Sequence, residues 1–179
     1  MDKVTFHDKT FKPYIKNEDI EAAIDKVADR IRADFEGSGD IPVFLCVLNG
    51  AIMFTAALMK RLSFPAELVS IKSSSYIGMK SGEMRIPIGL TGDVKGKRVI
   101  IIEDVVDSGN TIVALRNHLL LKGASEVRIC TLFFKPNVYK KDVPVNYVGM
   151  EISNEFIVGY GLDYDELGRN LKDVYILDE

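Results

Sequence analysis

The stretch that decides the fold is Val99-Ile100-Ile101-Ile102-Glu103-Asp104-Val105-Val106-Asp107-Ser108-Gly109-Asn110-Thr111. Four branched apolar residues in a row mark a strand buried on both faces, as in a parallel sheet covered by helices. The run stops at two adjacent carboxylates. A third acid follows three residues later, and a short polar turn then leads into a helix predicted over 110–121 and closed by Gly123. Acids often finish strands, and Asp107 or Ser108 can simply cap the helix. That plain reading serves for one acid. It strains for three, because Glu103, Asp104 and Asp107 at one strand end repel each other unless a cation or a hydroxyl-rich ligand sits among them.

The turn itself suits an anion. Gly109 lets the backbone approach a ligand closely, while the first amides of the helix and the hydroxyls of Ser108 and Thr111 can donate to phosphate oxygens. A phosphate cradle beside acids fits a phosphosugar: amides hold the phosphate, and carboxylates accept from ribose hydroxyls or hold Mg²⁺.

Working outward, strands alternate with helices. A helix is predicted from Asn17, read as its N-cap with Glu18 and Asp19 in the first turn. Ile20, Ile24, Val27, Ile31 and Phe35 recur along it at helical spacing, and Gly37 and Gly39 end it. Strands are predicted over 41–48, 67–72, 85–90, 97–102, 126–134 and 145–152, with a helix between Asn49-Gly50 and Arg61. Residues 73–82 are polar and Gly/Ser-rich, with no core face. This alternation indicates an α/β fold around a mainly parallel sheet. Ligands in such folds bind beyond the carboxyl ends of the strands, so chemistry is expected just after Leu48, Ile102 and Phe134.

Composition bounds the rest. The 179 residues are 47% apolar and 27% charged, which suits one folded domain, 1–179, and is too apolar for disorder. Lys+Arg 23 against Asp+Glu 26 leaves a charge of −3, so no bulk charge drives the chain toward nucleic acid or an anionic membrane. The longest apolar run, Val43 to Leu48, is six residues, against ~18 for a bilayer span. With Asp2, Lys3 and Asp8 where a signal peptide needs apolar residues, a cytoplasmic location is expected. Cys46 and Cys130 sit in apolar runs and read as buried thiols; His7 and His118 receive no role.

Competing nucleotide motifs fail on spacing. The chain has no G-x-x-x-x-G-K-S/T loop, and no G-x-G-x-x-G follows a strand. An acidic-pocket phosphoacceptor domain fails on order, since its acid pair belongs on the first strand. The segment 99–111 does resemble the phosphoribosyl-diphosphate (PRPP) motif of type I phosphoribosyltransferases, an apolar strand followed by E-D-x-x-D-S/T-G-x-T. Further segments are similar to the 6-oxopurine branch of that family. Leu45-Cys46-Val47-Leu48-Asn49-Gly50 resembles its pyrophosphate loop, Ser75-Tyr76 its mobile active-site loop, and Phe133-Phe134-Lys135 its base-facing strand end. Val148-Gly149-Met150-Glu151-Ile152 and Phe156 to Tyr164 resemble its purine hood and metal segment. The likeness runs colinearly over 41–177.

The resemblance implies a type I phosphoribosyltransferase fold, with a small hood formed from N- and C-terminal segments over the active site. It implies purine salvage: transfer of 5-phosphoribosyl from PRPP to hypoxanthine, guanine or xanthine, giving a nucleoside monophosphate and pyrophosphate with Mg²⁺ as cofactor. Asp107 is then the general acid/base. Asn49, Gly50, Ser75, Tyr76, Glu103, Asp104, Ser108, Gly109, Asn110, Thr111 and Arg169 contact PRPP. Lys135, Phe156, Ile157 and Asp163 form the purine site, and Glu103, Asp104 and Asp163 are the metal residues. Residues 73–82 are expected to close as a lid. Two positions depart from the family pattern: Asn49 stands where many relatives have a basic residue, and Asn110 where some have lysine. The pyrophosphate loop of the family often holds a non-proline cis peptide, which here falls at Leu48-Asn49. A homodimer or homotetramer is implied, with neither nucleic-acid nor membrane partners. The alternative is a PRPP- or nucleotide-sensing regulator on the same fold.

Overall fold

The computed structural model describes residues 2–72 and 93–178. The strand predicted over 85–90 and the lid predicted over 73–82 lie outside them. Two short strands, β1 (Val4–Phe6) and β2 (Lys9–Ile15), precede helix α1 (Asn17–Phe35). The expected apolar stripe of α1 is its buried face, but Lys16, not Asn17, is the N-cap and makes no side-chain bond. The backbone N–H of Asn17 instead donates to Asp173 Oδ1 at 2.8 Å, so a distant residue satisfies a helix-end amide that local capping leaves open.

Next come β3 (Val43–Leu48), α2 (Ile52–Met59), β4 (Glu67–Lys72), β5 (Arg98–Val106), α3 (Asn110–Leu121), β6 (Glu126–Phe134) and β7 (Tyr147–Glu151). These five strands make a wholly parallel sheet in the order β4-β3-β5-β6-β7. Side chains alternate between its faces. Phe44, Cys46, Ile100, Ile102, Cys130 and Leu132 pack with α1 and α2, while Val43, Leu45, Val99, Ile101, Val127 and Ile129 pack with α3. Helices on both faces explain why the strands read as unbroken apolar runs.

Several boundaries differ from the sequence expectation: β7 is shorter than the 145–152 expected and α2 shorter than the span to Arg61, and two further differences have a clear cause. β3 starts at Val43, not Ile41, because Pro42 has no N–H for a ladder; its carbonyl accepts from Glu67 N–H at 3.0 Å. β5 does not stop at Ile102. It continues through Glu103, Asp104 and Val105 to Val106, since β6 is long enough to pair with it there, Val105 with Phe133 and Val106 with Phe134. The acid pair therefore lies on a strand, with its backbone held in the ladder.

Strands β8 (Ile157–Val158) and β9 (Val174–Leu177) complete the chain. They join the N-terminal strands in an antiparallel sheet, β1-β2-β9-β8, around Phe11, Val158 and Tyr175. At the amino ends of the parallel strands lies a network of ion pairs. Arg98 bonds Glu126 at 2.7 Å and Asp40 at 2.9 Å, Arg128 bonds the other Glu126 oxygen at 2.7 Å, and the Arg98 guanidinium lies 4.1 Å from the Phe35 ring centre.

Candidate active site

Chain direction across the sheet reverses between β3 and β5: from β3 it steps outward to β4, and from β5 the other way to β6 and β7. Such a switch opens a crevice at the strands' carboxyl ends. The loop after β3 and the acids of β5 meet there. A Cβ on Gly50 would stand 1.6 Å from Asp104 Oδ2, so only glycine lets this backbone lie against the carboxylate. The peptide Leu48-Asn49 just before it is cis, and Asn49 is exposed.

The carboxylates feel one another. Burial pushes the Glu103 carboxyl well above the ordinary glutamate range; the charge of Asp104 adds to this, a backbone amide opposes it, and Asp107 raises it further. Burial likewise raises Asp104. Amides, including Val105 N–H at 2.8 Å, and the charge of Arg169 pull it down, while Asp163 pushes it up. Among the described residues neither acid has a salt-bridge partner. Asp107 is exposed at the start of the turn, and its Oδ1 accepts from the N–H of Ser108. Gly109, at φ 76°, is the N-cap of α3; neither Asp107 nor Ser108 caps the helix, which has no side-chain cap. Asn110 opens α3 with Thr111 beside it.

The loop between β8 and β9 supplies the opposite wall. Arg169 donates to the Gly161 carbonyl at 2.9 Å and pairs with Asp163 at 2.6 Å. Gly161 is packed against the Gly50 carbonyl, which brings that loop onto the one after β3. Beyond β6, Lys135 Nζ donates to the Glu155 carbonyl at 2.9 Å, beside Phe156. The Phe156 ring is 45% exposed and is backed by Phe11 and Tyr164, whereas the Ile157 side chain is buried in the small sheet.

The structure thus brings Gly50, Asp104, Asp163 and Arg169 together at the carboxyl ends of β3 and β5, with Glu103 and the 107–111 turn on the same strand end. Lys135 and Phe156 meet beside Glu155. Among the described residues no three His, Cys, Asp or Glu side chains come close enough to hold an ion, so Glu103, Asp104 and Asp163 are not a joint cage. Asp163 is engaged by Arg169 instead. Ser75 and Tyr76 lie outside the described residues. The sequence reading missed Tyr139, whose ring blocks the space a Cβ on Gly109 would need (2.3 Å) and meets Phe134 edge-on at 5.3 Å. It also passed over Tyr164 and Phe11 as support for Phe156. No local signal marks Phe11, which reaches Phe156 only because the chain ends meet in the small sheet. Cys46 and Cys130 are free and buried, and burial pushes both thiols up, as expected for inert core positions.

A parallel sheet with an acid-bearing strand end, a phosphate turn and a reversal of chain direction defines a phosphoribosyl-transfer domain. The phosphoribosyl transferase domain family matches residues 13–165, and the chain belongs to it. The hypoxanthine-guanine phosphoribosyltransferase of Streptococcus thermophilus is 39% identical over 170 residues, 94% of this chain and 93% of that protein. The hypoxanthine phosphoribosyltransferase of Salmonella typhimurium is 38% identical over 175 residues, 95% and 98% of the two chains. A crystal structure of a hypoxanthine-guanine phosphoribosyltransferase from Bacillus anthracis aligns at TM-score 0.86 and 32% identity, over 93% of this chain and 98% of that one.

Proposed function

We propose that the chain is a purine-salvage enzyme that transfers 5-phosphoribosyl from PRPP to hypoxanthine or guanine, releasing pyrophosphate and forming the nucleoside monophosphate. One observation carries the reading: two desolvated carboxylates, Glu103 and Asp104, stand without an ion-pair partner among the described residues, at the strand end where the loop after β3 meets β5. Groups so placed call for ribose hydroxyls or a cation.

Transfer breaks the bond from C1′ to the pyrophosphate oxygen and forms one from C1′ to the purine nitrogen. Positive charge develops on the ribose, and Glu103 and Asp104 face its hydroxyls. Asp107 takes the proton that the base releases, a role worth about 10²–10⁴-fold. The amides of Ser108 to Thr111 hold the 5′-phosphate. Lys135 uses one of three N–H donors on Glu155 and keeps two for purine O6, which favours 6-oxo over 6-amino bases. The exposed Phe156 ring stacks on the purine, and Ile157 offers its backbone to the base edge. Asn49 and Gly50 approach pyrophosphate through their backbone, and Arg169 reaches it by exchanging its bond to Asp163.

Mg²⁺, when bound, neutralises the leaving pyrophosphate. The residues present fit that ion without a cage, since Mg²⁺ keeps several waters and needs only one or two carboxylates plus substrate phosphates. Glu103, Asp104 and Asp163 would serve it. The small antiparallel sheet serves as the hood, within a single domain. No described helix is long and apolar enough to cross a membrane. A cytoplasmic homodimer or homotetramer fits this reading, and light scattering on the purified protein tests the assembly. No observation favours the sensing regulator. The deciding assay supplies PRPP and Mg²⁺ with hypoxanthine, guanine, xanthine or adenine. Nucleotide should form with 6-oxopurines and far less with adenine; no turnover with any 6-oxopurine would sink the assignment.

A further inference from the structure

The tip of the β1–β2 hairpin packs on the loop from Tyr164 to Gly168, the His7 ring meeting Tyr164 edge-on at 6.1 Å. The Tyr164 hydroxyl donates to Asp8 Oδ1 at 2.7 Å, His7 Nε2 lies 3.6 Å from Asp165, and the Phe6 ring covers Gly168. Lys9 Nζ adds a cation 5.1 Å from the centre of the Tyr164 ring. Tyr164 in turn meets Phe156 edge-on, with centroids 5.9 Å apart and planes at 84°. Phe11, wholly buried on β2, touches both rings at 6.2 and 5.9 Å. The half-exposed ring of Phe156 is therefore held from behind by two aromatics. One of them is fixed by the core, the other by a hydrogen bond to an exposed residue at a hairpin tip.

We propose that Asp8 is a positioning residue for the base site, acting through Tyr164 to fix the plane that Phe156 offers to the purine. The inference rests on the function proposed above. Edge-to-face packing constrains the plane of each ring by that of its neighbour, so a Tyr164 free to turn leaves Phe156 free to tilt. Phe11 meets Phe156 at a tilt of 41°, so the edge-on contact with Tyr164 supplies a second, differently oriented restraint on the ring. A stacking surface that must be ordered on binding weakens affinity for the base without touching the PRPP subsites. Asp8 is exposed, and an exposed hydrogen bond adds little to global stability, which separates this role from a merely structural one.

The test compares Asp8→Ala with Asp8→Asn, whose amide oxygen still accepts from Tyr164. Asp8→Ala should raise KM for hypoxanthine about two- to fivefold, the range that one exposed charged contact can supply. KM for PRPP and Tm should stay near wild type, and Asp8→Asn should restore most of the loss. An unchanged KM for hypoxanthine, or equal rises in both KM values, overturns the proposal. A readout independent of turnover uses protein labelled with fluorophenylalanine, the Phe156 signal being assigned by its loss in Phe156→Leu. That signal should move in Asp8→Ala and return in Asp8→Asn; a signal fixed in both refutes the coupling. Wild-type protein inactive with every 6-oxopurine would defeat the functional reading instead, and the fluorine signal still judges the coupling.

Discussion

The two ends of the parallel sheet carry the same kinds of charged residue in opposite arrangements. At the amino end, Glu126 is shared by Arg98 and Arg128, and these bonds hold its carboxyl below the usual range despite partial burial. At the carboxyl end, on the same β5, Glu103 and Asp104 have no cation bonded to them among the described residues, and burial pushes both carboxyls up. A domain that can pair acids with arginines at one end has left them unpaired at the other. The paired end is explained by stability. The raised carboxyls lower stability at neutral pH, and a hydroxyl-rich or cationic ligand of the kind proposed above would relieve them.

The sharpest way to break this contrast is to neutralise Asp107, the acid proposed as general base. Asp107→Asn should lower kcat by about 10²–10⁴-fold while PRPP binding stays close to wild type, as expected for loss of a general base. Single-turnover kinetics beside calorimetric PRPP binding check this, and a normal kcat removes Asp107 from proton transfer. A smaller but still large effect is expected from Gly50→Ala. The added methyl overlaps Asp104, so the loop or the carboxylate must move, at a cost of about 1–3 kcal/mol in stability together with weaker PRPP binding. Denaturant melts and PRPP titration read both, and wild-type values in each would show that the close approach is dispensable.

Much of this site was legible because its signals are local. The run Val99 to Ile102, the acids after it and the turn with Gly109 lie within thirteen consecutive residues, and helix α3 begins at Asn110 as read. β4 and β6 likewise keep their expected limits. The end of β5 was misplaced because periodicity sees the change from apolar to charged, whereas the ladder depends on how far β6 runs alongside. The partners of Asn17 and Tyr164 were beyond reach for a related reason. Asp173 lies 156 positions from Asn17, and Asp8 lies 156 from Tyr164. The small sheet depends on the same closure of chain ends; three of its four strands have three, two and four residues, too short to show a period, and the seven residues of β2 include Pro13.

A still smaller effect distinguishes the two ends by sign. Glu103 has a raised folded-state carboxyl, so its contribution to stability is fully present below the ordinary glutamate range and is lost as pH rises through the raised value. Glu126 is depressed, so its contribution is present above the ordinary range and is lost as pH falls through the lowered value. At pH 7, without PRPP or Mg²⁺, Glu103→Gln should therefore stabilise the protein by about 1–2 kcal/mol while reducing activity. Glu126→Gln should destabilise it by about 1 kcal/mol or less, because its ion pairs are partly exposed. Both differences should shrink toward acid pH. Thermal melts of the two variants across pH check this, and shifts of the same sign at pH 7 would end the contrast.

The smallest expected effect concerns the support behind the phosphate turn. Tyr139 lays its ring over Gly109 and donates its hydroxyl to the Val143 carbonyl. Tyr139→Phe keeps the ring and its edge-on contact with Phe134, losing one partly buried hydrogen bond worth about 0.5–1.5 kcal/mol of stability. KM for PRPP should then change by less than about twofold, since the turn still has its wall. Tyr139→Ala removes the wall and opens room beside a glycine already in the left-handed region, so KM for PRPP should rise a few-fold more than in Tyr139→Phe. Equal KM values in the two variants would mean that the amides of the turn hold their aim without help. The unpaired end would then differ from the paired one in its charges alone, not in how its backbone is braced.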